Sequence, residues 1–162
     1  MDAEKRAERL VARYADMVAR VGWTWLGNPY DAQDICQNVF LKLIEREAVF
    51  ESEEQEKAWV LRVAINECKT LKRSAWFRRT VGLEEGEAVW VELPEDSGLF
   101  AQVARLPTKY RQVIYLHYYE GYQVKEIAGL LGQAPALVST HLARAREKLK
   151  QMIGGNADEY MA

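Results

Sequence analysis

Five residues, Trp59, Arg62, Asn66, Lys69 and Arg73, follow one another at steps of 3, 4, 3 and 4, which keeps them on one face of a helix. A tryptophan and an amide among cations suit single-stranded nucleic acid. The ring is a stacking platform, the cations track phosphates, and the Asn66 amide can pair with the edge of an exposed base. A core tryptophan beside solvated charges would give the same row, and this helix alone does not separate the two readings. A second constellation lies further on. If Val138, Leu142, Ala145, Leu149 and Met152 form a buried stripe, then at about 100° per residue Ser139, Thr140, Ala143 and Arg144 point outward. Arg146, Lys148 and Lys150 extend the basic character of this helix. With a short helix and Gly132 before it, the arrangement outlines a helix-turn-helix. In such motifs the second helix reads base edges in the major groove while further Arg and Lys neutralise phosphates. A surface helix with a solvated basic face is the blander alternative. A third group, Asp34, Gln37, Asn38, Leu41 and Glu45, shares the face opposite the stripe Ile35, Cys36, Val39, Phe40 and Leu43. A leucine within a polar face suggests a docking surface, though single exposed leucines are common.

The elements that must carry these residues are helical by periodicity. Leu10, Val11, Tyr14, Met17, Val18, Val21 and Trp25 form one stripe of a helix over 4–26, broken by Gly27-Asn28-Pro29. Asp31 is suited to cap a second helix. Ser52 and Gln55 are spaced as a capping box for a third over 53–73. Beyond Arg79 the periodicity disappears, and Gly82, Gly86, Pro94 and Gly98 fall among acids, the composition of a linker. Helical patterning resumes over 98–105 and from Thr108, where Val113, Ile114, Leu116 and Tyr118 lead to a stop at Glu120-Gly121. Further helices are expected over 123–131 and 136–152. Strand-like alternation is essentially absent. The expected fold is all-α: two small helical domains, 1–76 and 99–153, joined by an acidic flexible linker over 77–98, with a frayed tail at 154–162.

The charge follows the same division. The 162 residues hold 22 Lys+Arg and 24 Asp+Glu, a net −2. Residues 1–80 carry 14 basic and 13 acidic side chains, 81–100 carry six acids and no base, and 101–153 carry eight bases and three acids. The near-neutral total therefore conceals a basic run at 62–79, six cations against the single Glu67, and a basic stretch at 101–153 on either side of the acids. The asymmetry points to a polyanionic partner. No apolar run approaches the roughly 18 residues of a membrane span. The charged start MDAEKRAERL is unlike a secretory leader. Cys36, Cys68, His117 and His141 form no zinc-ligand or disulfide pattern. Acidic pairs such as Asp31/Asp34 come with no nucleophile–base pair, phosphate-cradling loop or metal set. The expectation is a cytoplasmic, cofactor-free protein that is neither an enzyme nor bound to a membrane.

Four stretches, DAQDICQNVFLKLIE (31–45), AWVLRVAINECKTLKR (58–73), LPTKYRQVIYLHYYEGYQVKEIAGLLG (106–132) and ALVSTHLARAREKLK (136–150), together resemble a bacterial RNA polymerase sigma factor of the two-domain extracytoplasmic-function (ECF) type. The resemblance spans about residues 5–153 and rests on the order and spacing of the stretches. It implies a region 2 domain, a region 4 helix-turn-helix domain, and partners in core RNA polymerase (the β′ clamp helices and β flap), promoter DNA and an anti-sigma factor. It places Asp34, Gln37, Asn38 and Leu41 on the polymerase-facing surface. Trp59, Arg62, Asn66, Lys69 and Arg73 fall on the −10 strand, and Ser139, Thr140, Ala143, Arg144, Arg146 and Lys150 on −35 duplex DNA. The chain departs from the family at Asn38, where Glu is usual. It departs again at Ala136-Leu137-Val138-Ser139-Thr140-His141 in place of Gly-Thr-Val-Lys-Ser-Arg, which removes two cations. The alternative is a stand-alone helix-turn-helix regulator binding operator DNA without polymerase, which leaves the row from Trp59 to Arg73 unexplained.

Overall fold

The first helix, α1 (Ala3–Leu26), opens on Asp2, whose carboxylate accepts from the Lys5 backbone N–H at 2.8 Å. It closes on Gly27, where a φ of 67° permits the N–H to reach the Trp23 carbonyl at 2.7 Å. This computed structural model describes residues 2–27, 29–73 and 99–153; the linker expected at 77–98 and the tail at 154–162 lie outside the described residues. The chain divides into two compact units, Met1–Gly82 and Leu83–Ala162. The described residues are helical, with no strand among them.

In the first unit the stripe of α1 is buried as the pattern requires, except for Val11, which is 42% exposed. It sits about 100° round from Leu10, at the margin of the stripe. The second helix, α2 (Pro29–Glu45), begins two residues before the expected cap. Proline's fixed φ suits a first helical position, and Asp31 is then not a cap but a buried member of the first turn. Burial, reinforced by Asp34, raises its pKa. Gly22 of α1 faces Ala32 of α2: a Cβ built there would lie 2.9 Å from the Ala32 Cα. Only a residue without a side chain permits so close a crossing.

The third helix, α3 (Glu53–Arg73), starts at Ser52, whose Oγ accepts from the Gln55 N–H at 3.2 Å. The returning arm of the capping box is displaced by one residue, since Gln55 Oε1 accepts from Glu51 N–H at 2.8 Å rather than from Ser52. Val60, Leu61, Ala64, Ile65 and Cys68 face the core. Ionic contacts then fix the rotation of α3. Glu56 receives both Arg9 amino groups, at 3.1 and 2.7 Å, and the Tyr14 hydroxyl at 2.7 Å. Arg13 pairs with Glu53 at 2.5 Å and Lys42 with Glu67 at 2.6 Å. The Arg9 hydrogen bonds hold the Glu56 carboxyl below its ordinary range despite burial. Burial keeps the Cys36 and Cys68 thiols protonated.

The second unit comprises α4 (Leu99–Val103), α5 (Thr108–Ile114), α6 (Val124–Leu131) and α7 (Pro135–Ile153). The segment after α5 does not continue as regular helix. Residues Tyr115–Tyr119 form a π-helical turn, with Glu120 N–H bonded to the Tyr115 carbonyl at 3.1 Å and Tyr122 N–H to Leu116 at 2.9 Å. Gly121, with φ 81°, makes the exit. The Gln123 N–H is closed by Glu126 Oε1 at 3.0 Å, and α6 ends at Gly132, φ 66°. Val138, Leu142, Ala145 and Leu149 of α7 are buried against α5 and α6. Met152, expected to join them, is 37% exposed in the last turn.

Candidate nucleic-acid interface

On α3 the five residues of the polar row are brought to one side, opposite the buried face. Arg62, Asn66 and Arg73 are exposed, while Trp59 and Lys69 are half-buried. Trp59 leans on Phe50, with centroids 5.1 Å apart and planes tilted by 42°. The ring is therefore neither core nor free, and an aromatic partner steadies it while part of its surface stays accessible. Because Glu56 and Glu67 bind Arg9 and Lys42, the buried acids of α3 face its neighbours rather than the cationic row. Arg62 and Arg73, both exposed, add positive potential on that side.

On α2, Asp34, Gln37, Asn38 and Leu41 are exposed, Leu41 at 60%. Tyr30 continues the same line at 79%, one turn before Asp34. The sequence reading missed Tyr30 because it lay ahead of the expected cap.

On α7, Ser139, Thr140, Ala143, Arg144, Arg146 and Lys150 are all exposed. Thr140 Oγ1 donates to the Ala136 carbonyl at 3.0 Å, which commits its hydrogen and leaves the oxygen as an acceptor. Arg146 is less free than spacing suggests. Its Nε donates to the Tyr118 hydroxyl and its guanidinium lies 5.4 Å from the Tyr118 ring centroid. The π turn places Tyr118 for this contact, and no sequence signal announces it.

A second residue that sequence reasoning passed over is Arg111, only 2% exposed. It donates to the Leu106 carbonyl at 2.7 Å and the Thr108 hydroxyl at 3.0 Å, tying the α4–α5 turn. Burial pushes its pKa down to about 10, so it stays charged near neutrality. His117 Nδ1 donates to the Tyr122 carbonyl at 2.8 Å and so braces the exit of the π turn. Among the described residues no His, Cys, Asp and Glu cluster could hold a metal ion, and no helix is long and apolar enough to cross a membrane.

Comparison with known proteins matches this geometry twice. Residues 10–78 match the family described as Sigma-70 region 2, and residues 99–149 match Sigma-70, region 4. The ECF RNA polymerase sigma factor SigW of Bacillus subtilis is 26% identical over 162 aligned residues, spanning 89% of this chain and 87% of that protein. Among solved structures, the sigma factor RpoE bound to the anti-sigma factor NepR from Bartonella quintana aligns with a TM-score of 0.72 at 18% identity. That alignment covers 94% of this chain and 99% of the other. CnrH in complex with the cytosolic domain of CnrY aligns with a TM-score of 0.61 at 22% identity, covering 93% of this chain and 88% of the other.

Proposed function

From the premise that this chain belongs to the sigma-70 family, among the ECF sigma factors, we propose that it directs core RNA polymerase to promoters by holding two DNA elements in different states. Residues 1–76 act as the region 2 domain. The exposed α2 face, with Asp34, Gln37, Asn38 and Leu41, docks on the β′ clamp helices. The α3 row, with Trp59, Arg62, Asn66, Lys69 and Arg73, captures unpaired −10 bases. Residues 99–153 act as the region 4 domain: Ser139, Thr140, Ala143 and Arg144 read the −35 major groove, and Arg146 and Lys150 serve its phosphates. The acidic segment 77–98 links the two in sequence, and the β flap supports the second domain. The protein works in the cytoplasm, without chemistry of its own.

The observation that carries this reading is the pairing of two polar rows on separate units, one with a half-buried aromatic ring and an exposed amide, the other without either. An aromatic ring can stack only on a base that has left the duplex, and an amide beside it can pair with the freed edge. A row of hydroxyls and guanidinium groups without a ring suits edges still paired. Extruding a base costs a few kcal/mol, and stacking returns roughly 1–3 kcal/mol per base, so capture of exposed bases offsets much of the opening. The neighbour bound to the anti-sigma factor NepR supports an anti-sigma partner for this chain as well. The test is transcription in vitro with core polymerase and a randomised promoter library. Templates sharing one −35 and −10 pair should be enriched. Output indifferent to the added protein would refute the proposal.

A further inference from the structure

One flank of α7 turns towards α5 and gathers charge, of which the base-reading row uses only Arg144. Tyr110 of α5 is 6% exposed, and three side chains converge on its ring. Lys109 Nζ lies 5.2 Å from the centroid, Lys148 Nζ 5.9 Å, and the His141 ring meets it edge-on at 5.8 Å. Cations are drawn to such a ring, so a largely buried tyrosine draws two long side chains from different helices to itself. On α7, His141, Arg144 and Lys148 fall at i, i+3 and i+7, which lines them along one edge of the helix. Among the described residues, no carboxylate pairs with Lys109, Arg144 or Lys148. Their positive potential is felt locally: after burial, Lys109 and Arg144 are what disfavour the charged form of His141. Like charges held together by packing are relieved by a polyanion.

We propose that Lys109 and Lys148, held across Tyr110, grip the sugar-phosphate backbone bordering the groove that α7 reads. Charge complementarity selects the occupant, and continuity places it, because Arg144 belongs both to this edge and to the row facing the bases. The contact enlists α5, which lies outside the two helices of the helix-turn-helix. It also supplies cations to a helix that lacks a Lys and an Arg in its first turns. The proposal rests on the reading that α7 enters duplex DNA.

The test is the salt dependence of promoter binding by core polymerase loaded with the full chain. The probe is a duplex bearing the −35 element recovered from the randomised library. Each phosphate contact contributes about 0.9 to the slope of log K against log salt. The double substitution K109A/K148A should therefore flatten that slope by about 1.8. Between 50 and 200 mM salt the wild-type protein should lose about 12-fold more affinity than the variant. Both side chains are exposed, so folding is spared, and K109R/K148R should retain the slope. The loss should be uniform over −35 sequences. An unchanged slope with intact initiation overturns this contact and leaves the functional reading standing. A wild-type chain that fails to direct initiation overturns both. A variant whose loss varies with −35 sequence assigns the lysines to bases and also overturns the proposal.

Discussion

Replacing Gly22 by Ala gives the most direct check on the packing that presents the exposed faces of α2 and α3. The new Cβ would meet the Ala32 Cα at 2.9 Å, its Cβ at 3.1 Å and its carbonyl oxygen at 3.4 Å. The nearest of these is backbone, which cannot swing aside as a side-chain tip would, so α1 and α2 must separate along their length. Overpacking of this kind costs about 1–3 kcal/mol, and a backbone collision in a crossing pinned by Arg6 on the Ile44 carbonyl belongs at the upper end. Against it stands a gain of about 1 kcal/mol from replacing glycine within a helix. The expected net loss is about 2 kcal/mol. With a urea dependence of about 2 kcal/mol per molar, the unfolding midpoint should fall by about 1 M. Four of the five tryptophans lie before position 83, so their emission reports chiefly on the first unit. The same substitution at Gly129, where a Cβ meets nothing within 4 Å, should instead stabilise the second unit by about 1 kcal/mol. Changing Ala32 to Gly as well should restore only part of the loss, because the Cα remains. A midpoint for G22A equal to or above wild type would refute the argument that this crossing depends on a missing side chain.

Further outcomes follow from the ionic and recognition residues. Glu56→Gln should cost about 1–3 kcal/mol by weakening its bonds with Arg9 and Tyr14. Because the folded pKa of Glu56 is depressed, its contribution is present above the unfolded value and is lost as pH falls through the folded one. Wild-type stability should therefore converge on that of E56Q in acid, as urea melts from pH 7 downwards would reveal. Asn66→Ala should reduce open-complex formation by about 1–3 kcal/mol without altering polymerase binding, a split measured by permanganate footprinting beside a core-binding titration. Arg144→Ala should weaken −35 discrimination by about 1–3 kcal/mol, measured by competition among promoter variants.

The helices were legible in the sequence because their apolar residues recur at helical steps, and α3 begins and ends where the Ser52 cap and its periodicity place it. The exposed rows were legible for the same reason, since a buried stripe fixes what the opposite face must present. What escaped was anything set by a contact outside the stripe. Asp31 has a capping residue's chemistry, but Pro29 starts the helix earlier and carries Asp31 into the first turn. Val11 and Met152 are apolar, yet Val11 sits at the margin of its stripe and Met152 in the last turn, and each stays exposed. Arg111 reads as one more surface cation, and only the turn from Leu106 to Thr108 explains why a guanidinium is buried there. The bond from Arg146 to Tyr118 joins residues 28 positions apart, and no local pattern encodes it.

The π turn at Tyr115–Tyr119 has a consequence for how the second unit tolerates changes in length. Such a turn holds one more residue than the regular coil it interrupts, and here the surplus swings Tyr118 round to Arg146 while delivering Gly121 to the exit. The stretch therefore behaves as a spacer of fixed count. Shortening it by a single amino acid would let ordinary helix run through and would re-index every side chain between Ile114 and the start of α6. Helix α7 would lose its lateral stay although none of its own letters had changed.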